Sequence, residues 1–316
     1  MDHKQAVYGV DVSKATLVVG EYHSEQMMRI DNTPEPIARW LASLAPGSVV
    51  AMEATGCYFE LLAHLAGAAG MVVFVLNPRT LRHYARALGL RAKTDRVDAL
   101  LIARYAMHER AKLRAWQPPS RLVDTLSRLL KRRHVLVGAN QTLMQSLSGM
   151  KLLKAERQAL QASLKRMIAN LELLIRVEIA KQPELAALHR RLTTIVGVGP
   201  ISAAQLVAAL LRFEFARCDA FIAYTGLDPR PDDSGLRRGR RRLSKHGPGL
   251  LRCLLFNGAR AAARGKVFKP LYEQLLARGL QTTEAYVVLA RKLARIAFAL
   301  FKSGGVFDAQ RHLRTA

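Results

Sequence analysis

Ala6-Val7-Tyr8-Gly9-Val10-Asp11-Val12 and Thr16-Leu17-Val18-Val19-Gly20-Glu21-Tyr22 decide how this chain begins. The first is a short apolar run that ends in a carboxylate, and the second reads as its hairpin partner. Outward from this pair, the pattern predicts a helix over 36–44, a strand over 48–52 and a helix over 58–68. A second strand over 71–76 closes on Asn77-Pro78, and a helix over 95–107 carries Val97, Leu100, Leu101 and Tyr105 inward. Strands alternating with helices imply a largely parallel sheet with an antiparallel start. Trp116-Gln117-Pro118-Pro119 then reads as a linker.

Beyond the linker the reading becomes α-helical. Leu122, Leu126, Leu129, Leu130, Leu136 and Leu143 recur at helical spacing, and Leu160, Leu164, Ile168, Leu171 and Ile175 follow. This pattern fits a long antiparallel helix pair or coiled coil for self-association, and fits an ordinary helical linker domain equally well. After Thr193, Ile195-Val196-Gly197-Val198-Gly199-Pro200 is a tight glycine turn between two helical runs. A loop containing Ser234, a basic run from Arg237 to Lys245 and helices over 248–264 and 283–301 complete the chain. The expected divisions are an α/β domain at 1–115, a helical region at 116–190 and a mainly helical domain at 191–316.

Charge narrows the function. The 316 residues hold 49 Lys+Arg against 24 Asp+Glu, a formal charge of +25. The surplus is uneven: 14 Lys/Arg face 11 Asp/Glu in 1–115, 13 face 5 in 116–190, and 22 face 8 in 191–316. A balanced head followed by strongly basic parts points to a polyanionic partner, nucleic acid rather than a membrane. Met1-Asp2-His3-Lys4-Gln5 opens with no apolar leader, and the apolar stretch over 61–76 is too short to span and is interrupted by His64. Cys57, Cys218 and Cys253 lie far apart without a Cys-x-x-Cys pair, which suits a reducing, cytoplasmic setting and no zinc site.

Four carboxylates stand out in the head. Asp11 ends the first strand, Glu53 follows the strand over 48–52, and Asp95 and Asp98 open a helix three residues apart on one face. Hard oxygen donors converging from separate elements describe a divalent-metal site for phosphoryl transfer, Mg²⁺ or Mn²⁺. Singly, Asp95 with Asp98 also fits an N-cap pair, and Asp11 a turn. Gly197 and Gly199 fit a helix–hairpin–helix whose backbone N–H groups hold a phosphate, although small-residue turns between packed helices are common. Asp232-Asp233-Ser234-Gly235 alone is a turn. Followed by Arg237, Arg238, Arg240, Arg241, Arg242 and Lys245, its serine faces enough cations to neutralise a phosphate under attack.

These segments resemble a known family. Tyr8-Gly9-Val10-Asp11-Val12-Ser13-Lys14, Met52-Glu53-Ala54-Thr55-Gly56 and Lys93-Thr94-Asp95-Arg96-Val97-Asp98-Ala99 are similar to the N-terminal DEDD domain of a bacterial transposase family. It is the insertion-sequence group numbered one hundred and ten, whose members include bridge-RNA-guided recombinases. Gly197-Val198-Gly199-Pro200, Tyr224-Thr225-Gly226-Leu227-Asp228-Pro229, Ser234-Gly235, Ser244-Lys245-His246-Gly247 and Leu251-Arg252 resemble its C-terminal transposase domain.

The resemblance implies an RNase H-like (Holliday-junction-resolvase-like) head with Asp11, Glu53, Asp95 and Asp98 as a metal-binding tetrad. It further implies Ser234 as a nucleophile that forms a covalent link to DNA, and a coiled coil that makes a homodimer. Two dimers would form a tetramer on donor and target DNA in the bacterial nucleoid, guided by an element-encoded bridge RNA. Three other readings use the same residues differently. A junction resolvase or RNase H-like nuclease attacks with water and leaves Ser234 idle. An actin-like sugar kinase needs further Gly-rich loops, which the sequence lacks. A non-catalytic DNA-binding protein leaves four carboxylates unexplained beside phosphates.

Overall fold

The expected hairpin forms, and it grows by one strand. In the computed structural model β1 (Val7–Val12) pairs antiparallel with β2 (Thr16–Glu21), Val10 opposite Val19. An unforeseen edge strand, β3 (Met27–Asp31), continues the meander against β2. The structure describes residues 5–90, 94–230, 233–234, 237–238 and 242–310, the side chains at 233, 234, 237 and 238 excepted. It divides into two units, Met1–Pro118 and Pro119–Ala316.

In the first unit α1 (Pro34–Ala42), β4 (Val49–Glu53), α2 (Phe59–Ala68) and β5 (Val72–Leu76) follow. Next come α3 (Pro78–Ala87) and α4 (Asp95–Glu109). Helix α3 was not expected. Asn77-Pro78 reads as a strand stop, yet Asn77 caps the helix by accepting from the Arg79 N–H at 2.9 Å and Pro78 occupies its first turn. The sheet order is β3-β2-β1-β4-β5, with β1–β4 and β4–β5 parallel. Alternation sorts the strands between two cores. Val10, Val12, Val50, Met52 and Val73 pack with α1 and α2, whereas Val7, Val49, Ala51, Phe74 and Leu76 pack with α3 and α4.

Helix α4 lies almost on the backbone of β1. A Cβ added at Gly9 would sit 2.1 Å from the Ala99 carbonyl oxygen and 2.3 Å from the Ala103 nitrogen. Gly9→Ala should therefore lever α4 off the sheet and destabilise the fold by about 3 kcal/mol. Thermal unfolding tests this, and an unchanged midpoint would mean that α4 can slide without loss.

The second unit is helical around α8. It runs α5 (Arg121–Ser146), α6 (Lys154–Ala180), α7 (Pro183–Thr193), α8 (Pro200–Leu210) and α9 (Cys218–Thr225). Four two-residue strands come next: β6 (Pro229–Arg230), β7 (Asp233–Ser234), β8 (Arg237–Arg238) and β9 (Arg242–Leu243). Helices α10 (Gly249–Ala262), α11 (Lys269–Ala277) and α12 (Thr282–Ser303) end the unit; α9 and α11 were not expected. All of α8 from Ala203 to Leu210 is buried, which small side chains permit.

Helices α5 and α6 form an antiparallel hairpin. Arg133 pairs with Glu172 at 2.7 Å, and Arg157 donates to the Leu147 carbonyl at 3.2 Å. Its base, with Leu122, Leu126, Leu130, Ile175 and Ile179, joins the α8 core, whereas Leu143, Leu152, Leu160 and Met167 farther out are exposed. Among the described residues no helix is long and apolar enough to cross a membrane.

Candidate functional site

Strand parity carries two carboxylates to one place. Val7 and Gly9 face α4, so Asp11 follows on that side; Val49 and Ala51 face it too, so Glu53 follows. Strands β1 and β4 are parallel with Val10 opposite Met52, which sets Asp11 and Glu53 on neighbouring strands, one residue beyond that pair. Adjacent strands lie about 4.8 Å apart.

Helix α4 carries the other two in its first turn. Near its C-terminal end His108 meets the Tyr22 hydroxyl at 3.0 Å, and the Tyr22 N–H donates to the Val7 carbonyl at the start of β1. The helix thus runs antiparallel to β1, and its first turn lies over the end of β1, where Asp11 stands. Asp95, Asp98, Ala99, Ile102 and Ala106 form one stripe, and its last three members are buried against the sheet. Asp95 also pairs with Arg29 at 3.8 Å; Arg29 lies opposite Val18, which lies opposite Asp11. Sequence reasoning missed Arg29, whose only signal was the alternation of an edge strand.

The simpler roles for these acids belong to neighbours. Thr94 caps α4 by accepting from the Val97 N–H at 3.2 Å, so Asp95 and Asp98 are first-turn residues, not caps. Ser13 makes the turn after β1, its N–H and hydroxyl both donating to the Thr16 carbonyl, while Asp11 stays in the ladder. Asp11, Glu53 and Asp98 are half-buried and Asp95 is exposed. The four carboxylates are a donor set suited to a hard divalent cation. Among the described residues no three His, Cys, Asp or Glu close into a group able to hold a metal ion.

Ser234 was expected in a loop, and the backbone forms a nested hairpin there instead. Strands β6 and β9 pair with Arg230 opposite Arg242, and within them β7 and β8 pair with Ser234 opposite Arg237 and Asp233 opposite Arg238. Arg242 and Lys245 are exposed, and Lys245 has the unusual φ of 54°. Arg240 and Arg241 lie outside the described residues.

The root of that hairpin is stapled. Ser244 N–H donates to the Asp228 carbonyl at 3.0 Å, its buried hydroxyl donates to the Asp228 carboxylate, and Lys245 N–H donates to the Gly226 carbonyl at 3.1 Å. Arg252 of α10 donates to the carbonyls of Thr225, at 3.3 Å, and Gly247. Burial lowers the Arg252 pKa from its usual value. The motifs around Tyr224 and Ser244 are thereby one structural unit, a role that their separation in sequence conceals.

The glycine turn joins α7 to α8. Gly197 has φ 89°, and a Cβ there would meet the Gly258 carbonyl at 2.3 Å, so packing against α10 demands this glycine. Gly199 is exposed at the N-cap of α8, and Pro200 removes one N–H from the first turn.

Comparison with known proteins bears on both halves. Residues 8–172 match a transposase family of the DEDD, IS110 type, and residues 189–273 match the IS116/IS110/IS902 transposase family. The chain is similar to the pilin gene-inverting protein of Moraxella bovis, 30% identical over 276 residues that cover 83% of this chain and 82% of that protein. It is likewise 30% identical over 295 residues to the transposase for insertion sequence element IS1111A of Coxiella burnetii, covering 82% and 79%. A probable family 20 transposase of Pseudomonas aeruginosa is 36% identical over 155 residues, 47% of this chain and 43% of that one.

Proposed function

This chain belongs to the IS110 family of transposases, enzymes that cut and rejoin DNA, and from that premise we propose how its residues do so. Asp11, Glu53, Asp95 and Asp98 hold Mg²⁺ or Mn²⁺ against a DNA phosphate, and the match to the DEDD-type family, with Asp11 and Glu53 on neighbouring strands and Asp95 and Asp98 in the first turn of α4, supports this reading. The order β3-β2-β1-β4-β5 with its antiparallel start supports an RNase H-like head. When bound, the metal supplies charge neutralisation at the phosphate and lowers the pKa of a coordinated hydroxyl.

Ser234 is the nucleophile. Its oxygen bonds to phosphorus as the phosphodiester P–O bond breaks, and the departing DNA oxygen takes up the proton; rejoining reverses both exchanges, so no ATP is consumed. The stapled root of the hairpin supports this role, because a nucleophile needs a fixed base. Trapping a metal-dependent covalent protein–DNA adduct tests the assignment. Cleavage without an adduct favours attack by water.

Arg237, Arg238, Arg240, Arg241, Arg242 and Lys245 hold phosphates beside Ser234, and Gly199 at the α8 N-terminus offers backbone N–H groups to the same strand, with Gly197 shaping the turn. Affinity for DNA should fall steeply with salt. Mutating Arg240, Arg241 and Arg242 together should reduce the log–log slope by about 0.7–0.9 for each phosphate that is no longer neutralised. An unchanged slope returns the run to solvated surface. The exposed leucines and methionine of the α5–α6 hairpin support a homodimer through a coiled coil, assembling to a tetramer on DNA in the cytoplasm. The charge of +25 supports a second polyanion, an element-encoded bridge RNA, and sequencing nucleic acid that co-purifies with the protein tests that partner.

A further inference from the structure

A cleft of about 540 Å³ opens in the second unit between α5, α8, α9 and the start of α10. One wall is a stripe of α5, with Ser127, Lys131 and His134 spaced at i, i+4 and i+7. The facing wall continues α8, where Gln205 and Arg212 flank the small Ala208 and Ala209 that leave the hollow. Tyr224 closes a third side, and burial raises its pKa, so the phenol stays neutral.

Gln205 is the anomaly. It is the lone polar residue in the buried run of α8, only 8% exposed, and its side chain makes no hydrogen bond to another described residue. A polar side chain in an otherwise apolar run needs hydrogen-bond partners, and this one lines the cleft, so whatever fills the cleft supplies them. The rim has the opposite chemistry. Lys131 and His134 are exposed there beside Arg212, whose guanidinium lies 4.5 Å from the Phe213 ring centroid. Helix α10 begins at the same rim, and no side chain at Pro248 caps it.

A half-apolar hollow with one amide suits a base, and cations around a helix N-terminus suit a phosphate. We propose that this cleft receives one unpaired nucleotide of a nucleic-acid strand. The base edge meets the Gln205 amide beside Tyr224, and the phosphate lies at Lys131, Arg212 and the first turn of α10. The assignment rests on the nucleic-acid reading of the function given above. A base in a duplex has its edge paired and its faces stacked, so it does not enter; the occupant comes from a single strand. That strand is DNA opened at a cut site or an unpaired segment of RNA, with the same chemistry at the cleft.

The test measures binding by the full chain, not cleavage, with fluorescent 12-nucleotide single-stranded DNA and RNA of matched sequence and a duplex of the same DNA as reference. Gln205→Leu keeps the volume and removes the amide; Ser127→Trp blocks the mouth from an exposed position and guards against misfolding of the first variant. Both should weaken single-strand binding about tenfold and leave duplex binding within twofold. A loss confined to the DNA arm assigns the cleft to DNA, one confined to the RNA arm assigns it to RNA, and a loss in both assigns it to either strand. Wild-type affinity for both single strands in both variants, or equal loss on the duplex, overturns the proposal while the function stands. If the unaltered protein binds none of the three, the reading of its function fails as well.

Discussion

Ser234→Ala is expected to abolish both the covalent protein–DNA adduct and strand rejoining while DNA binding persists. A serine hydroxyl is a poor nucleophile at neutral pH, so its use requires that its proton be drawn off and the phosphate charge be neutralised. Arg237 stands opposite Ser234 in the ladder, and Arg242 and Lys245 follow it along the chain. The proposed mechanism also has the carboxylates of the first unit and Ser234 act on one phosphate, within one chain or across two. Mixing Ser234→Ala with Asp11→Asn separates these cases: restored cleavage means that each site draws on two protomers. Rejoining by Ser234→Ala alone, or denaturing gels that never show an adduct, would exclude the serine mechanism.

Asp95→Asn should lower strand cleavage by about 10²–10³-fold, and excess EDTA should do the same to the unaltered protein. Asn keeps the size of Asp and removes one negative charge, so affinity for DNA should hold or rise. The fold should also hold, because Asp95 is exposed, its pairing with Arg29 at 3.8 Å is a surface contact, and Thr94 caps α4 without it. Asp11→Asn and Asp98→Asn should behave alike in cleavage. Full activity of Asp95→Asn, or of the unaltered protein without divalent metal, would remove the tetrad from the mechanism.

Much of this was legible along the chain because it is local. The apolar alternation of 6–12 and 16–22 determines the hairpin, since residues two apart share a face, and β-branched side chains fit a pleated strand. The leucine spacing after Ser120 determines α5 and α6 for the corresponding reason at 3.6 residues per turn. Family membership was legible too, because its motifs are short and contiguous. Local signals failed where one residue serves two purposes. Asn77-Pro78 ends a strand and starts α3, and β3 is an edge strand with little to bury, so it leaves a weak pattern.

Tertiary structure decided what depends on register and close approach between distant segments. Whether Asp11 and Glu53 share a side depends on pairing β1 with β4 at Val10 and Met52; a slip of one residue would turn one of them away. Whether Asp95 and Asp98 join them depends on α4 running back along β1, which Gly9 permits by letting two backbones touch. The hairpin that bears Ser234 hangs from hydrogen bonds between residues 225–228 and 244–252, and the cleft beside Gln205 exists because α5 and α8 face each other. Sequence by itself determined which residue types and local elements this transposase has. Only the fold decided which of them meet, because proximity across tens of residues is set by packing of whole surfaces, and no local pattern records it.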